Sequence, residues 1–98
     1  MSKWEVCTIE MRSERKWGLF RKTVDISKYV AVVDKPEGPK VISESRTWKY
    51  IHDDSEHSYS QNREQDELSR TEHSKLVGKL LEDGWEPING DTFRRQVP

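Results

Sequence analysis

Three consecutive segments near the C-terminus decide the fold: residues 69–83 (SRTEHSKLVGKLLED), 84–88 (GWEPI) and 92–95 (TFRR). The apolar residues of the first segment recur at a spacing that places them on one side of a helix. Ser69 and Glu72 have the spacing of a capping box, so the helix is predicted to begin near Ser69. Gly84 is predicted to end it and to let Trp85 fold back over the apolar face.

The remaining segments predict β-strands. Residues 85–88 and 91–97 form a final strand, interrupted at Asn89-Gly90, a dipeptide suited to a tight turn or a bulge. Upstream strands are expected at 4–11, 17–26, 29–34 and 40–51, with a polar break at 13–16 and a Pro/Gly turn at 35–39. The prediction is one α+β domain over residues 1–98. It has an antiparallel meander sheet of four or five strands in the order β-β-β-β-α-β, with one helix packed on one face.

Residues 52–67 interrupt this pattern because they are acidic and polar, with Tyr59 as the only apolar anchor. Such segments are usually functional or disordered when they occur inside a small domain. A mobile acidic loop over 52–67 is the favoured prediction. The alternative is that its second part extends the helix that follows.

The composition of the chain disfavours several classes of function. The chain has 98 residues with a net charge of −1, and the net charge is +4 over residues 1–50 and −5 over 51–98. Neither half has the strongly basic character of most nucleic-acid-binding modules. Cys7 is the single cysteine and lies among apolar residues, which predicts a buried thiol in a reducing compartment. Without a signal-like or membrane-spanning apolar run, the prediction is a soluble, cytoplasmic protein with no membrane partner.

Two sets of motifs carry a resemblance. The first comprises residues 29–31 (YVA), 36–39 (PEGP) and 41–45 (VISES); the second comprises the leucine-rich run 76–81, then 84–87 (GWEP) and 93–95 (FRR). In these motifs, and in its first strand, the chain resembles a group of small bacterial proteins of unknown function. Their C-terminal helix is followed by a Gly-Trp-Glu-Pro strand that ends in Arg-Arg. The resemblance implies an α+β fold and no catalytic activity.

No segment predicts a reaction or a cofactor. The stretch 52–57 (HDDSEH) has metal-ligand residue types, but its imidazole spacing matches no standard zinc pattern, so a solvated loop is favoured over a metal site. His73 lies within the helix stripe and is expected to be a packing residue. No nucleophile elbow or phosphate-binding loop is present, and we expect neither an enzyme nor a bound metal.

The leading hypothesis follows from the presence of a single predicted helix. One helix cannot cover both faces of the sheet, so the exposed tryptophans need another surface to pack against. We therefore predict a non-catalytic module that forms a twofold homodimer or binds a protein partner. The alternative is a small-ligand or single-stranded nucleic-acid binder that uses cations among aromatic residues, although composition disfavours nucleic acid. The candidate binding residues are Trp17, Phe20, Arg21, Lys22, Trp48 and Arg94.

Overall fold

The computed structural model describes residues 3–17, 23–52 and 56–97, with the backbone alone for 56–60. These residues form six strands and one helix. In chain order they are β1 (Lys3–Trp17), β2 (Thr23–Val33), β3 (Lys40–Glu44), β4 (Trp48–His52), α1 (Glu56–Glu82), β5 (Glu86–Asn89) and β6 (Thr92–Val97).

The strands form one antiparallel sheet in the order β3-β2-β1-β6-β5, and β4 also pairs with β2. β3 and β4 occupy successive parts of the same edge of β2, so the six strands make five columns. This arrangement confirms the antiparallel α+β fold with one helix on one face of the sheet. The expected strand 40–51 is divided into β3 and β4, and the expected final strand is the hairpin of β5 and β6.

β1 and β2 pair without interruption from Cys7↔Val33 to Trp17↔Thr23. The predicted polar break at 13–16 is therefore wrong, because these residues belong to β1, which continues to Trp17. Residues 23–26 of the strand expected at 17–26 and residues 29–33 of the strand expected at 29–34 belong to a single strand, β2, and residues 18–22 lie outside the described residues. Polar cross-strand pairs replace apolar ones here, since the Ser13 and Ser27 hydroxyls lie 2.7 Å apart. A strand stabilised by such pairs has no hydrophobic alternation for a sequence pattern to detect.

α1 begins at Glu56, not at Ser69. The capping-box prediction is wrong, because the Ser69 hydroxyl donates to the Asp66 carbonyl within the helix. Glu72 is buried, and its Oε1 accepts a hydrogen bond of 2.9 Å from the Arg46 backbone N–H in the β3–β4 connection. Over 56–67 the chain is helical, so the favoured loop prediction is corrected there in favour of the helix extension; residues 53–55 lie outside the described residues.

Polar contacts hold the first half of α1 against β4. The side-chain amide of Asn62 accepts from the Ile51 N–H and donates to the Ile51 carbonyl, each at 2.9 Å. Gln65 Oε1 accepts from the Lys49 N–H at 2.8 Å. These bonds satisfy backbone groups on the edge of β4 that faces away from β2, so the helix closes this edge of the sheet.

The second half of α1 covers the core. Gly84 has φ 90°. Its N–H bonds the Leu81 carbonyl, and the Trp85 N–H bonds the Leu80 carbonyl, which is the Schellman pattern. Trp85 then packs into one cluster with residues of the helix and of the central strands. The cluster comprises Cys7, Ile9, Ala31, Val33, Leu76, Leu80, Trp85 and Phe93. The predicted glycine stop and the return of Trp85 over the apolar face are confirmed.

The β5–β6 hairpin turns through Gly90 and Asp91, with Asn89 opposite Thr92. Its register shifts between Pro87 and Asn89, so this segment contains both the tight turn and the bulge that were predicted as alternatives. Gly90 has φ 52°, a conformation that a glycine adopts at low cost.

The molecule is elongated. Its extents are 58 × 26 × 18 Å and its radius of gyration is 16.7 Å, against the roughly 13 Å that is typical of a compact domain of this length. β1 accounts for much of the length, because β6 pairs only with Lys3–Thr8 and the strand continues as far as Trp17. The part of β1 from Met11 to Trp17, with the facing part of β2 and with β4, forms an arm beyond the core.

Candidate interaction surface

The two faces of the sheet differ in their cover. Cys7 and Ile9 point into the core beneath α1, so the alternate residues Trp4 and Val6 point to the other face, here called the open face. Trp4 is 47% exposed and Val6 is 39% exposed. Val41 of β3 lies on the same face, because it pairs with Val32, and is 36% exposed. No helix of the described residues covers this face, and large apolar side chains remain in contact with solvent.

Arg94 of β6 also lies on the open face, where it pairs with Val6. Its guanidinium is 4.6 Å from the centroid of the Trp4 ring, within cation–π distance. Its Nε is 3.4 Å from Glu86 Oε2. Arg95 points to the opposite face and lies 4.4 Å from the Trp85 ring centroid. Of Arg94 and Arg95, it is therefore Arg94 that lies on the open face.

Trp48 is not a surface residue. It is 3% exposed and lies on the helix-covered face, with its ring centroid 4.8 Å from that of Tyr29. Its inclusion among the candidate binding residues is corrected for this reason.

Trp17 is the opposite case, since it is 83% exposed at the end of β1. It lies eleven residues along β1 from Val6, the partner of Arg94, a separation of about 36 Å in an extended strand. The structure therefore does not bring Trp17 and Arg94 into one site. Phe20, Arg21 and Lys22 lie outside the described residues, so their part in the candidate set stays a prediction.

The charges of β1 do not form a basic patch. Glu10, Arg12, Glu14 and Lys16 share the open face of the strand and alternate in sign. Arg15 lies on the other face, where its Nε donates to Asp25 Oδ1 at 3.0 Å. In the described part of the chain, the basic run 12–16 is thus divided between two faces and partly neutralised. This arrangement does not favour the nucleic-acid alternative.

The Asp25 carboxylate binds two side chains of the arm, those of Arg15 and His52. Arg15 takes one carboxylate oxygen, and His52 Nε2 lies 2.7 Å from the other. The pKa of Asp25 is held below its ordinary value of 3.8, first by the hydrogen bond from Arg15 and then by the bond with His52. The same contact raises the pKa of Arg15. The three side chains link β1, β2 and β4 and so stabilise the arm in a charge-dependent way.

We expect Asp25→Asn to reduce stability in a pH-dependent manner. A carboxyl group whose pKa is lowered by folding stabilises the protein above its unfolded-state pKa, near 3.8, and this contribution is lost as the pH falls through the lowered folded-state pKa. The variant should therefore melt below wild type at neutral pH, and the difference should shrink as the pH falls below about 4. Thermal melts at a series of pH values measure this. A difference that stays constant from neutral to acid pH would contradict it.

His52 and His73 each contact one aspartate in the described part of the chain. His52 bonds Asp25, and no group of three metal-ligating side chains is found in the described part of the chain. The side chains of residues 53–57 in the HDDSEH stretch lie outside it. His73 is half-buried, with Nε2 2.6 Å from Asp91 Oδ1 and its ring 5.1 Å from that of Tyr29. It ties α1 to the β5–β6 turn.

Cys7 is a free, fully buried cysteine of the core. Burial raises the pKa of its thiol to about 11, against the opposing influence of Arg95. The thiol therefore stays protonated at neutral pH, and a protonated thiol is a poor nucleophile. The prediction of a buried thiol that behaves as a small apolar side chain is confirmed.

Comparisons with known proteins supply no family: no family model, no curated protein and no solved structure matches the chain. The resemblance to small bacterial proteins with a Gly-Trp-Glu-Pro strand stays a prediction. No helix in the described part of the chain combines the length and the hydropathy that a membrane crossing requires.

Proposed function

We propose that the protein is a non-catalytic self-association module that forms a twofold homodimer through the exposed part of its sheet. The observation that carries the proposal is the uneven cover of the sheet: α1 shields one face of it near the core, while Trp4 and Trp17 stay 47% and 83% exposed. Exposed aromatic side chains on an ordered sheet are characteristic of protein interfaces. A cytoplasmic location and the absence of catalysis are parts of the same proposal.

A second copy is the favoured partner because a symmetric dimer covers the same surface on both chains at once. A chain of 98 residues has a thin core, and association is one of the usual ways in which such a chain gains stability. The elongated shape supports this reading, because the arm of β1, β2 and β4 lies beyond the core cluster, and Trp48 is the buried apolar side chain of its described residues.

Light scattering and sedimentation over a range of micromolar concentrations test the proposal. We expect a reversible dimer whose dissociation is seen on dilution. The double variant Trp4→Ser/Trp17→Ser should weaken the dimer, because it removes both exposed indoles of the sheet. Leu81→Ser is the matched control, since Leu81 is 48% exposed but lies on α1. A wild-type protein that stays monomeric at high micromolar concentration would overturn the proposal.

A further inference from the structure

One edge of the sheet is long, regular and unpaired. β6 pairs with β1 only as far as Thr8, and the Ile9 N–H bonds the Asp91 carbonyl. Beyond Ile9, no strand of the described residues pairs with this side of β1. Alternate residues direct their N–H and C=O groups to the same side, so those of Met11, Ser13, Arg15 and Trp17 face this edge. The segment 11–17 is here called the β1 edge.

The other edges of the sheet carry features that obstruct pairing. β5 contains Pro87, which lacks an N–H. β3 has only five residues and an irregular register next to Ile42. The edge of β4 is occupied by Asn62 and Gln65 of α1. The β1 edge has no proline and no bulge, and an unprotected edge of this kind pairs readily with another strand.

The charges along this edge are complementary about Ser13. One residue away lie Arg12 and Glu14, of opposite sign, and three residues away lie Lys16 and Glu10, also of opposite sign. In an antiparallel pair of identical strands centred on Ser13, each charged residue of the open face therefore lies opposite a residue of the other sign. Arg12 faces Glu14 of the second copy, and Glu10 faces Lys16 of the second copy.

We propose that two copies of the chain pair antiparallel along the β1 edge, with Ser13 on the twofold axis. The inference rests on the proposed function and specifies the part of the interface along the β1 edge; Trp4 lies nearer the start of β1, where the strand pairs with β6, and is outside this part. The hydrogen-bonded pairs are Ser13 with its own counterpart and Met11 with Arg15 of the second copy. The charged residues then occupy the non-hydrogen-bonded positions, where facing side chains are closest.

Registers centred on Glu14, Arg12 or Arg15 are less favourable. Hydrogen-bonded pairs form only between residues whose backbone groups face the second copy, here the odd-numbered ones. A twofold axis between two neighbouring residues would pair odd with even positions, so the axis must pass through a residue. Centring on Glu14 places the two Glu14 side chains together and Arg12 opposite Lys16. Centring on Arg12 pairs two arginines and sets Glu10 opposite Glu14. Centring on Arg15 pairs two arginines and leaves only residues 13–17 to overlap.

The same register also gives cover to Met11. Met11 is 60% exposed and lies on the helix-covered side of β1. When Ser13 is central, it lies opposite Arg15 of the second copy. The position opposite Ile9 is taken by Asp91, whose carbonyl accepts from the Ile9 N–H, so Trp17 of the second copy lies beyond the paired segment.

Charge reversal tests the register. Arg12→Glu alone and Glu14→Arg alone should each weaken the dimer by about tenfold or more, because the twofold axis creates two like-charge pairs from each substitution. The double variant Arg12→Glu/Glu14→Arg restores opposite charges and should return the dissociation constant to within about threefold of wild type. Lys40→Glu is the matched control, since Lys40 is exposed on β3 at the far side of the sheet.

Cysteine cross-linking gives a second measurement. Ser13→Cys should form an intermolecular disulfide under mild oxidation, because hydrogen-bonded residues of facing strands have Cα atoms about 5.5 Å apart, within disulfide range. Met11→Cys should not, since the two copies of residue 11 are offset along the strands. Cys7 is buried and does not compete. Cross-linking at position 13 but not at 11 supports the register.

The possible results separate this inference from the proposed function. The Ser13-centred edge pairing is overturned if the wild-type protein dimerises but neither single reversal weakens the dimer. It is also overturned if the double variant does not regain wild-type affinity. In both cases the proposed self-association is retained. A wild-type protein that is monomeric at every concentration overturns both. Loss of dimer in each single reversal, restoration in the double variant and no change in Lys40→Glu establish the pairing.

Discussion

Trp48→Ala is expected to lower the free energy of unfolding by about 3–5 kcal/mol. The side chain is 3% exposed and packs against Tyr29 on the helix-covered face, so its removal leaves a cavity beneath the first half of α1. That half of the helix is held to β4 mostly by polar contacts from Asn62 and Gln65, and Trp48 is the buried apolar side chain of that strand. Urea unfolding monitored by circular dichroism measures the change.

Trp17→Ala is the matched control for Trp48→Ala. The substitution is the same, but Trp17 is 83% exposed, and the loss of a solvated side chain usually changes stability by no more than about 0.5 kcal/mol. Both variants should be measured in dilute solution, so that association does not contribute. Equal losses of stability in the two variants would contradict the assignment of Trp48 to the core and would return it to the candidate binding residues.

The C-terminal part of the fold was predictable because its signals are local. Gly84 follows an apolar stripe, and Trp85 follows Gly84, so the helix end and the return of the chain depend on neighbouring residues only. The Asn89-Gly90 dipeptide likewise specified a turn through backbone conformation. The number of strands was harder to predict from the sequence. The polar run 13–16 belongs to β1, and the partner of Arg15 in that run is Asp25 of β2, which is ten residues away in the sequence.

The start of α1 was missed for a related reason. Hydrophobic periodicity detects helices that pack through an apolar stripe. Between Glu56 and Ser69 the helix instead presents Asn62 and Gln65 to the backbone of β4, and amide side chains carry no such periodicity. Polar residues spaced three apart before an apolar stripe are the signal that was available. It becomes informative only when the unpaired edge of β4 is known.

The candidate site was partly predictable. Trp17 and Arg94 were expected at the surface, and the structure exposes Trp17 and places Arg94 on the open face. What the sequence could not provide was the distance between them, which depends on β1 running without a break for fifteen residues. The complementary charges around Ser13 are visible in the sequence, but they gain meaning only once that side of the strand is known to be unpaired.

Trp85→Ala is expected to cost about 3–5 kcal/mol, which is a large share of the stability of a small domain. Trp85 is 2% exposed and belongs to the core cluster, and Arg95 lies over its ring at 4.4 Å. The substitution removes apolar burial and this cation–π contact together. It also separates the Gly84 turn from the core, so fraying of the last turn of α1 should accompany the loss, as hydrogen exchange at Leu80 and Leu81 can measure.

Trp85→Phe distinguishes the ring from its N–H group. The Trp85 Nε1 is buried without a hydrogen-bond partner in the described part of the chain, and a buried unsatisfied donor costs about 1–3 kcal/mol. Phenylalanine is smaller and leaves a modest cavity, but it removes that donor, so the two effects offset each other. We expect Trp85→Phe to lose far less stability than Trp85→Ala. Equal destabilisation of the two variants would contradict the offset between the lost donor and the new cavity.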